Sequence, residues 1–270
     1  MKNASRELEI GFSPCPNDTF IFHAMLHGLI DTGEFCFVPH IDDVEALNLK
    51  AFEGAFPITK LSFYAYVLLK ERYALLDSGS ALGYKCGPLL VAKSRLKNLA
   101  EAHIAIPGKY TTAHMLLKLW HPEIQHVSPT RFDLILPGVQ SGEFDAGLII
   151  HEGRFIYPEY GCIKIIDLGE WWEAETRLPI PLGCIAIQND PSVICHKEKI
   201  ESFLRNSVNY AFENRDASRE FIKSHAQEMD DTVIDSHINL YVNDFTISLG
   251  ETGRKAVETL AEMAQCRKII

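Results

Sequence analysis

Short apolar runs that alternate with longer helix-like segments constrain the fold of this chain more than any other feature. Leu8–Phe12, Phe35–Pro39 and Phe56–Thr59 are short and mostly apolar, and each is followed by a segment with helical spacing of apolar residues. Such alternation is typical of α/β layers, in which helices cover a mainly parallel sheet. The chain is therefore predicted to be an α/β protein.

The order of the predicted strands divides the chain into two lobes. A strand at Gly87–Ala92 runs into the charged segment Lys93–Glu101, and a later strand at Leu182–Gln188 offers a return path. We predict a large discontinuous α/β lobe, residues 1–92 plus 187–270, and a small α/β lobe, residues 93–186, inserted into it. A length of 270 residues suits two modest domains. Between two such lobes we expect a central ligand cleft.

Charge and hydropathy exclude several classes of protein. The formal net charge is −10 and no cluster of Lys and Arg occurs, which argues against nucleic acid as a partner. No apolar run approaches the roughly 18 residues of a membrane span, and the segment before Phe12 lacks the apolar core of a signal peptide. The protein is therefore predicted to be soluble and cytoplasmic, without a membrane partner. The sequence leaves a homodimer open.

Cysteine and histidine spacing gives little support for a metal site. The seven cysteines are scattered and form no CxxC pair, so reduced thiols are the simplest interpretation. His23 and His27 lie four residues apart on a predicted helix, with Asp31 beyond them, which is a weak metal-ligand pattern. Without an HExxH motif, two such histidines are more often structural or solvated. We predict no metal.

The turn after the first predicted strand is the first candidate for ligand binding. Ser13–Thr19 contains two prolines and lies at the carboxyl end of a strand, where open α/β sheets bind ligands. A helix is predicted to start at Thr19, with Asn17 or Asp18 as its cap. Both side chains are candidates for the cleft, and the alternative is that they cap the helix and do nothing more.

A second candidate follows the third predicted strand. In Thr59–Ser62, Lys60 supplies a cation and Ser62 a hydroxyl, which would suit an anionic substrate group. The alternative is a solvated lysine and a helix-capping serine. Just before this strand, Asp42 and Glu45 have the spacing of a capping box, which predicts another helix start.

The inserted lobe repeats this pattern. Gly108 permits a tight turn, and Thr111 and Thr112 open a predicted helix whose first backbone N–H groups lack helical partners. Those donors could hold a carboxylate across the cleft from Ser62. The spacing is not that of a P-loop. The alternative is simple N-capping of the helix.

The most informative segment is Gly142–Glu152. A helix is predicted to stop at Gly142, and the apolar strand Ala146–Ile150 then leads to His151, whose imidazole is expected at the strand end, facing the cleft. A histidine titrates near neutral pH and can accept a proton. Glu152 could orient it. The alternative is a histidine that merely hydrogen-bonds to backbone at the end of a strand.

Other features favour no particular site. Trp171 and Trp172, with Tyr157 and Tyr160, could form an aromatic wall, although core packing is the commoner use of such side chains. A serine hydrolase triad is disfavoured because no GxSxG motif is present.

Taken together, the motifs resemble one enzyme family. The run Ser13-Pro14-Cys15-Pro16-Asn17-Asp18-Thr19-Phe20-Ile21-Phe22 resembles the N-terminal signature of 1,4-dihydroxy-6-naphthoate synthases. Further matching stretches occur in the expected order over essentially the whole chain: Asp42-Asp43-Val44-Glu45 with Leu47-Asn48, Thr59-Lys60-Leu61-Ser62, Pro107-Gly108 with Thr111-Thr112-Ala113, Gly147-Leu148-Ile149-Ile150-His151-Glu152, Asp167-Leu168-Gly169 with Trp171-Trp172, Leu178-Pro179-Ile180-Pro181-Leu182-Gly183 and Tyr241-Val242-Asn243.

The resemblance implies a fold, a reaction and a set of site residues. The fold would be that of periplasmic binding proteins. The reaction would split cyclic dehypoxanthine futalosine, an aromatic carboxylate, into 1,4-dihydroxy-6-naphthoate and dihydroxyacetone in menaquinone biosynthesis, without cofactor or metal. By position, His151 matches the family's proton acceptor. The positions that match its substrate-binding segments are Lys60, Leu61 and Ser62 in one and Thr112 and Ala113 in the other; Asn17, Asp18, Thr111 and Ile150 are further cleft candidates.

Two rival interpretations follow from the same fold. Chorismate dehydratase of the same pathway is the nearest alternative enzyme, and it should lack a histidine followed by glutamate at this strand end, so Ile150-His151-Glu152 argues against it. A non-catalytic solute-binding protein of a transporter is the alternative from another class. Direct assay with chorismate tests the first, and tightly held, unreacted ligand in the purified protein would favour the second.

Overall fold

A computed structural model describes residues 6–226 and 230–270 and divides the chain into two compact units. The first unit comprises Met1–Leu82 and Gly183–Gly250, and the second comprises Gly83–Leu182 and Glu251–Ile270. Each unit contains its own β-sheet with helices packed on it. Within the described ranges, no helix combines the length and the apolar character that crossing a membrane requires.

The described strands are β1 Arg6–Phe12, β2 Phe35–Ile41, β3 Ile58–Ser62, β4 Tyr73–Leu75, β5 Ala81–Gly83, β6 Leu89–Ala92, β7 Ile104–Ile106, β8 Val127–Pro129, β9 Ala146–Ile149, β10 Ile163–Asp167 and β11 Ile180–Gln188. The helices are α1 Pro16–Leu26, α2 Val44–Glu53, α3 Phe63–Leu69, α4 Thr112–Trp120, α5 Phe132–Ser141, α6 Gly153–Ile156, α7 Leu168–Thr176, α8 Pro191–Ile194, α9 Lys197–Glu213, α10 Arg219–His225, α11 Asp231–Tyr241, α12 Asp244–Ile247 and α13 Gly250–Cys266. Tyr157–Tyr160 and Arg215–Ser218 form short 3-10 helices.

The sheet of the first unit has the strand order β2-β1-β3-β11-β4, with β5 paired to β11. Strand β1 runs parallel to β2 and β3, whereas β11 runs antiparallel to β3 and β4. The carboxyl ends of β1, β2 and β3 therefore share one edge. Helix α1 packs against α9, α10 and α11 over an apolar core. Buried strand residues such as Ile10, Ile58 and Ile185 give the near-continuous apolar character expected of a sheet with covered faces.

The sheet of the second unit has the order β10-β6-β9-β7-β8. Strand β7 is parallel to β8 and β9, and β6 is antiparallel to both β9 and β10. The carboxyl ends of β7, β9 and β10 therefore also share one edge. Its apolar core includes Leu89, Val91, Ala105, Ile135 and Val139, supplied by strands β6 and β7 and helix α5.

The compact units differ from the predicted division into 1–92 plus 187–270 and 93–186. Strand β6 lies between β9 and β10, so it belongs to the second sheet, and the chain leaves the first unit at Leu82, before this strand. The C-terminal residues from Glu251 onward also belong to the second unit. There Arg267 donates a hydrogen bond to the carbonyl oxygen of Leu119. Local sequence patterns cannot reveal either assignment, because both depend on distant partners.

Two predicted helix starts are wrong by one to three residues. Helix α1 begins at Pro16 with Cys15 as N-cap, so Asn17 and Asp18 lie within its first turn rather than before it. Proline is well suited to a first helical position because its fixed φ matches the helix. Helix α2 is capped by Asp43, not Asp42: Asp43 Oδ1 accepts from the backbone N–H groups of Glu45 and Ala46 at 2.9 and 3.1 Å.

Candidate functional site

A buried ion pair lies in the first unit just beyond the carboxyl end of β1, beside the middle of β3. Lys60 Nζ lies 2.5 Å from Asp18 Oδ1, and the two side chains are only 7% and 0% exposed. The parallel register of β1 and β3 pairs Gly11 with Thr59, which brings the residues after Phe12 beside Lys60. A charge that is buried this deeply requires a partner of opposite charge, and Lys60 and Asp18 provide that partner for each other.

Asp18 is held by a set of donors rather than by Lys60 alone. The backbone N–H and hydroxyl of Ser13 donate to Asp18 Oδ2 at 3.1 and 2.7 Å, and Asn17 Nδ2 donates to Oδ1 at 2.7 Å. Asn17 Oδ1 in turn accepts from Nε2 of the buried His237 at 2.9 Å. These donors hold the Asp18 carboxylate in place, and the carboxylate in turn fixes the position of the Lys60 ammonium group.

Ser62 and Leu61 are neighbours in β3 with different roles: Ser62 forms hydrogen bonds and Leu61 packs in the interior. Ser62 Oγ accepts from Asn48 Nδ2 at 3.1 Å, and the Ser62 backbone N–H donates to Asn48 Oδ1 at 2.9 Å. These bonds tie the end of β3 to helix α2. Leu61 has no exposed surface, so its side chain packs in the interior. Among the predicted site residues of this unit, Asn17, Asp18 and Lys60 form one hydrogen-bonded cluster. Ser62 lies two residues beyond Lys60, at the end of β3.

In the second unit, helix α4 begins directly after the carboxyl end of β7. Thr111 is its N-cap: the hydroxyl accepts from the His114 backbone N–H at 3.3 Å and donates to Gly108 O at 2.9 Å. The Thr112 hydroxyl donates to the carbonyl oxygen of Leu182 at 2.6 Å, and Ala113 is buried. The predicted turn and helix start are confirmed, with the capping role present.

His114 lies inside the first turn of α4 and is nearly buried. Its Nδ1 donates to the Lys109 carbonyl oxygen at 2.9 Å. Burial lowers the pKa of His114 below its usual range, and the positive charges of Lys118 and Lys109 act in the same direction, while the bond to Lys109 opposes them. A neutral imidazole at this helix start leaves the positive end of the α4 dipole without an added cation.

His151 follows β9, which neighbours β7 and runs in the same direction. The strand ends at Ile149, and Ile150 and His151 form the turn that leads into α6. The imidazole is partly exposed and meets the ring of Phe132 edge-on, with centroids 5.2 Å apart. His151 has a φ of 54°, in the left-handed region. The ring is therefore not buried in the apolar core. Because β7 and β9 are parallel, α4 and His151 both follow the carboxyl ends of strands at the same edge of the second sheet.

A second buried ion pair lies at this same edge. Arg154 Nη2 is 2.5 Å from Asp167 Oδ2, with side chains 17% and 0% exposed, and Arg154 Nη1 donates to the Gly87 carbonyl oxygen at 2.6 Å. Asp167 ends β10 and also caps α7, accepting at Oδ1 from the N–H groups of Gly169 and Glu170. This arrangement fixes the short helix that follows His151.

The cysteines beside the two ion pairs are poor nucleophiles. Burial raises the pKa of the Cys86 thiol, next to Arg154 and Asp167, to about 12. Burial also raises the pKa of Cys184, near Lys60. A thiol attacks as its thiolate, which is scarce at neutral pH when the pKa is raised.

Comparison with known proteins identifies the family. A family model described as menaquinone biosynthesis matches residues 8–266. The 1,4-dihydroxy-6-naphthoate synthase of Thermus thermophilus is 45% identical over 260 residues, covering 96% of this chain and 94% of the relative. That of Streptomyces coelicolor is 38% identical over 271 residues, covering 97% and 94%. The chain belongs to the 1,4-dihydroxy-6-naphthoate synthase family. The resemblance found in the sequence is confirmed.

Solved structures support the predicted fold of this member of the naphthoate synthase family. A crystal structure of a protein from Archaeoglobus fulgidus is 37% identical, with a TM-score of 0.90 and 98% of each chain covered. The alkanesulfonate-binding protein of Xanthomonas axonopodis pv. citri, bound to MOPS, has a TM-score of 0.72 at 14% identity and covers 98% of this chain and 95% of its own. At that identity the likeness concerns the fold alone. The predicted α/β class and periplasmic-binding-protein-like fold are confirmed.

Other sequence candidates have structural roles in this member of the naphthoate synthase family. Trp172 is fully buried and its indole N–H donates to Pro179 O at 3.0 Å, so it is a core residue. Tyr157 and Tyr160 pack against the second core. The rings of His23 and His27 lie 4.4 Å apart. Within residues 6–226 and 230–270, no group of three or more His, Cys, Asp or Glu side chains is arranged to hold a metal.

Four residues of the two edges escaped the sequence analysis. Asn48 bonds to Ser62, and His237 bonds to Asn17. Arg154 and Asp167 form the second ion pair. Asn48 and Asp167 lie within stretches that carry the family resemblance, which was the available signal. His237 and Arg154 carried none, because each meets its partner only after distant segments fold together.

Proposed function

We propose that this chain converts cyclic dehypoxanthine futalosine into 1,4-dihydroxy-6-naphthoate and dihydroxyacetone, as a carbon–carbon lyase of menaquinone biosynthesis. The observation that carries the proposal is the near full-length identity of 45% with a curated 1,4-dihydroxy-6-naphthoate synthase. A partly exposed imidazole at a strand end, rather than a buried one, is compatible with a base that must reach a substrate.

His151 is proposed as the general base of this reaction. Its imidazole would accept a proton from the substrate as the carbon–carbon bond to the sugar-derived part breaks. The electron pair of that bond would enter the new ring system, whose aromatisation supplies much of the driving force. The pair left by the abstracted proton would form a double bond in the products. The imidazolium would then return the proton to the products, so that all substrate atoms end in naphthoate and dihydroxyacetone and the histidine ends the cycle neutral, as it began. A positioned base of this kind contributes roughly 10²–10⁴-fold to a rate.

Substrate binding is assigned to the two strand-end segments. Lys60, Leu61 and Ser62 are proposed to contribute from the first unit, and Thr112 and Ala113 from the second. Backbone N–H groups at the start of α4 favour negative charge. Asn17, Asp18, Thr111 and Ile150 are proposed to shape these segments, since Asp18 fixes Lys60 and Thr111 caps α4.

The decisive experiment compares His151→Ala with the wild-type protein on cyclic dehypoxanthine futalosine, with naphthoate formation followed by mass spectrometry. Turnover is expected to fall by roughly 10²–10⁴-fold, while the dissociation constant measured by calorimetry changes little. His126→Ala is the matched control, because His126 is an exposed histidine of the same unit. Unchanged turnover in the His151 variant would contradict the assignment of the base.

Two further assays separate the rival functions. Incubation with chorismate tests a dehydratase activity, and formation of its dehydration product would replace the proposed reaction. Analysis of the freshly purified protein for bound small molecules tests a binding function. A stoichiometric ligand that survives unreacted, together with no turnover of cyclic dehypoxanthine futalosine, would favour a solute-binding protein.

A further inference from the structure

The backbone at His151 needs support from its surroundings. With φ at 54°, this residue has a left-handed conformation that side chains larger than glycine rarely adopt. Such conformations persist where neighbouring structure over-determines them. On the N-terminal side the support is β9, which is hydrogen-bonded to both β6 and β7. The support on the C-terminal side is less obvious.

Apolar burial provides only part of that support. Helix α6, which follows, has four residues, and none of them is buried. The 3-10 helix Tyr157–Tyr160 also has no fully buried residue. Ile156, Tyr157 and Tyr160 are only partly buried against the second core. A helix of this length has little intrinsic stability, so other contacts must fix it.

Arg154 makes contacts of this kind. Its backbone N–H donates to the His151 carbonyl oxygen at 3.3 Å, and its guanidinium reaches Gly87 O at 2.6 Å and Asp167 Oδ2 at 2.5 Å. These two acceptors lie just before β6 and at the end of β10, on neighbouring strands. The planar fork of arginine suits two acceptors held in fixed directions.

The partners of Arg154 are themselves rigid. Asp167 is fully buried and caps α7 through Oδ1, which leaves Oδ2 directed at the guanidinium. Gly87 and Gly169 approach so closely that a Cβ on Gly87 would lie 2.2 Å from the Gly169 nitrogen. The Leu168 backbone N–H also donates to Pro88 O at 3.0 Å. Arg154 therefore ties the turn after His151 to closely packed backbone beside β6 and β10.

We propose that Arg154 and Asp167 are positioning residues that hold the His151 imidazole where it can accept a proton. They act through the backbone of the His151 turn and are not themselves catalytic residues. The proposal rests on the proposed function, because it concerns the residue named there as the base.

The first test is a double-mutant cycle between Arg154→Lys and His151→Ala. Lysine keeps the charge but has no fork with which to reach both acceptors, so the histidine turn should loosen. We expect kcat to fall about 10- to 100-fold with KM within about threefold, because the base is misplaced while the binding segments are intact. In the His151→Ala background the same substitution should cause no further loss of turnover. Asp167→Asn, which retains an oxygen to cap α7, should behave likewise.

Arg219→Lys is the matched control for this cycle. Arg219 pairs with Asp235 at 2.7 Å in the first unit, so the same chemical change is made at an ion pair of the other unit. Its kcat should equal that of the wild type. The proposal is overturned if Arg154→Lys leaves kcat within twofold of wild type, or if it lowers turnover by the same factor with and without His151.

A spectroscopic measurement keeps this test distinct from the test of the base. The imidazole Cε1–H resonance of His151 can be assigned by its loss in His151→Ala. It should shift or broaden in Arg154→Lys and Asp167→Asn but not in Arg219→Lys. If His151→Ala retains full turnover, the proposed base is wrong, yet this resonance still reports whether Arg154 positions the ring. An unchanged resonance in both variants would refute the positioning role.

Discussion

At the scale of single residues, the charges of the first unit sit in two contrasting environments. The Lys60–Asp18 pair is almost wholly buried, with side chains 7% and 0% exposed. The Lys50–Asp42 pair, joined at 2.8 Å, has side chains 42% and 38% exposed. Burying an ion pair costs desolvation energy, which the Coulomb attraction between the two charges must offset. An exposed pair stays hydrated, so it costs little to form and stabilises the fold little. Loss of one partner should therefore have very different consequences in the two places.

Lys60→Met is predicted to lower the free energy of unfolding by about 3–5 kcal/mol, because Asp18 is left as a buried charge without its cation. Asp18→Asn should lower it comparably, and the double variant Lys60→Met with Asp18→Asn should lose less than the sum of the two. Urea denaturation followed by circular dichroism measures these changes. Lys50→Met is the control and should cost no more than about 1 kcal/mol. Additive losses in the double variant would show that the two side chains are not energetically coupled.

The residues of this cluster show what sequence analysis can and cannot locate. The sequence shows that Asp18 and Lys60 each follow an apolar run, although Asp18 lies in the first turn of α1 and Lys60 within β3. Their pairing is not apparent from the sequence, because the two residues are 42 positions apart and meet only through the parallel register of β1 and β3. His237 and Asn17 are 220 positions apart, and no local sequence pattern predicts their contact. The family resemblance identified Lys60 without indicating its partner.

At the scale of secondary structure elements, the apolar runs of the sequence located most strands, whereas the predicted starts of α1 and α2 were wrong. A capping residue is chosen by the φ and ψ angles of the turn, and neighbouring aspartates such as Asp42 and Asp43 satisfy the same sequence rule. Here Asp43 is extended and caps α2, while Asp42 accepts from the Asp43 N–H and pairs with Lys50. The assignment of β6 failed for another reason, since its hydrogen-bonding partners β9 and β10 lie far along the chain.

Asp43→Ala is predicted to lower the free energy of unfolding by about 0.5–2 kcal/mol, because two N–H groups of α2 lose their acceptor. Asp43→Asn keeps a side-chain oxygen at the same place and should be close to wild type. Asp42→Ala should cost less than Asp43→Ala, because it removes a largely exposed ion pair. Thermal and urea unfolding of the three variants measure the order. A larger loss for Asp42→Ala would mean that the cap is Asp42 after all.

At the scale of the whole molecule, each compact unit contains a histidine whose pKa is lowered. Burial, and then the charge of His27, lowers the pKa of His23 in the first unit; burial is also the main cause at His114 in the second. An imidazole with a lowered pKa binds protons more readily in the unfolded chain than in the folded one. Its contribution to stability is therefore complete above its unfolded pKa of about 6.5, and is lost as the pH falls through the folded value.

The tryptophans allow the two units to be followed separately. All three, Trp120, Trp171 and Trp172, lie in the second unit, so their fluorescence reports its unfolding, whereas circular dichroism reports helices of both units. His114→Gln keeps a donor for the Lys109 carbonyl oxygen but cannot be protonated. We predict that the urea midpoint detected by fluorescence falls less between about pH 7.5 and about pH 5.5 in this variant than in the wild type.

His126→Gln is the matched control for this substitution, because His126 is an exposed histidine of the same unit. His23→Gln should reduce the pH dependence measured by circular dichroism, because the titrating group it removes lies in the first unit. If the two units unfold in one cooperative step, the two probes give the same midpoint and both variants flatten it. If His114→Gln leaves the fluorescence midpoint as sensitive to acid as the wild type, protonation of the buried α4 histidine does not limit the acid stability of the second unit.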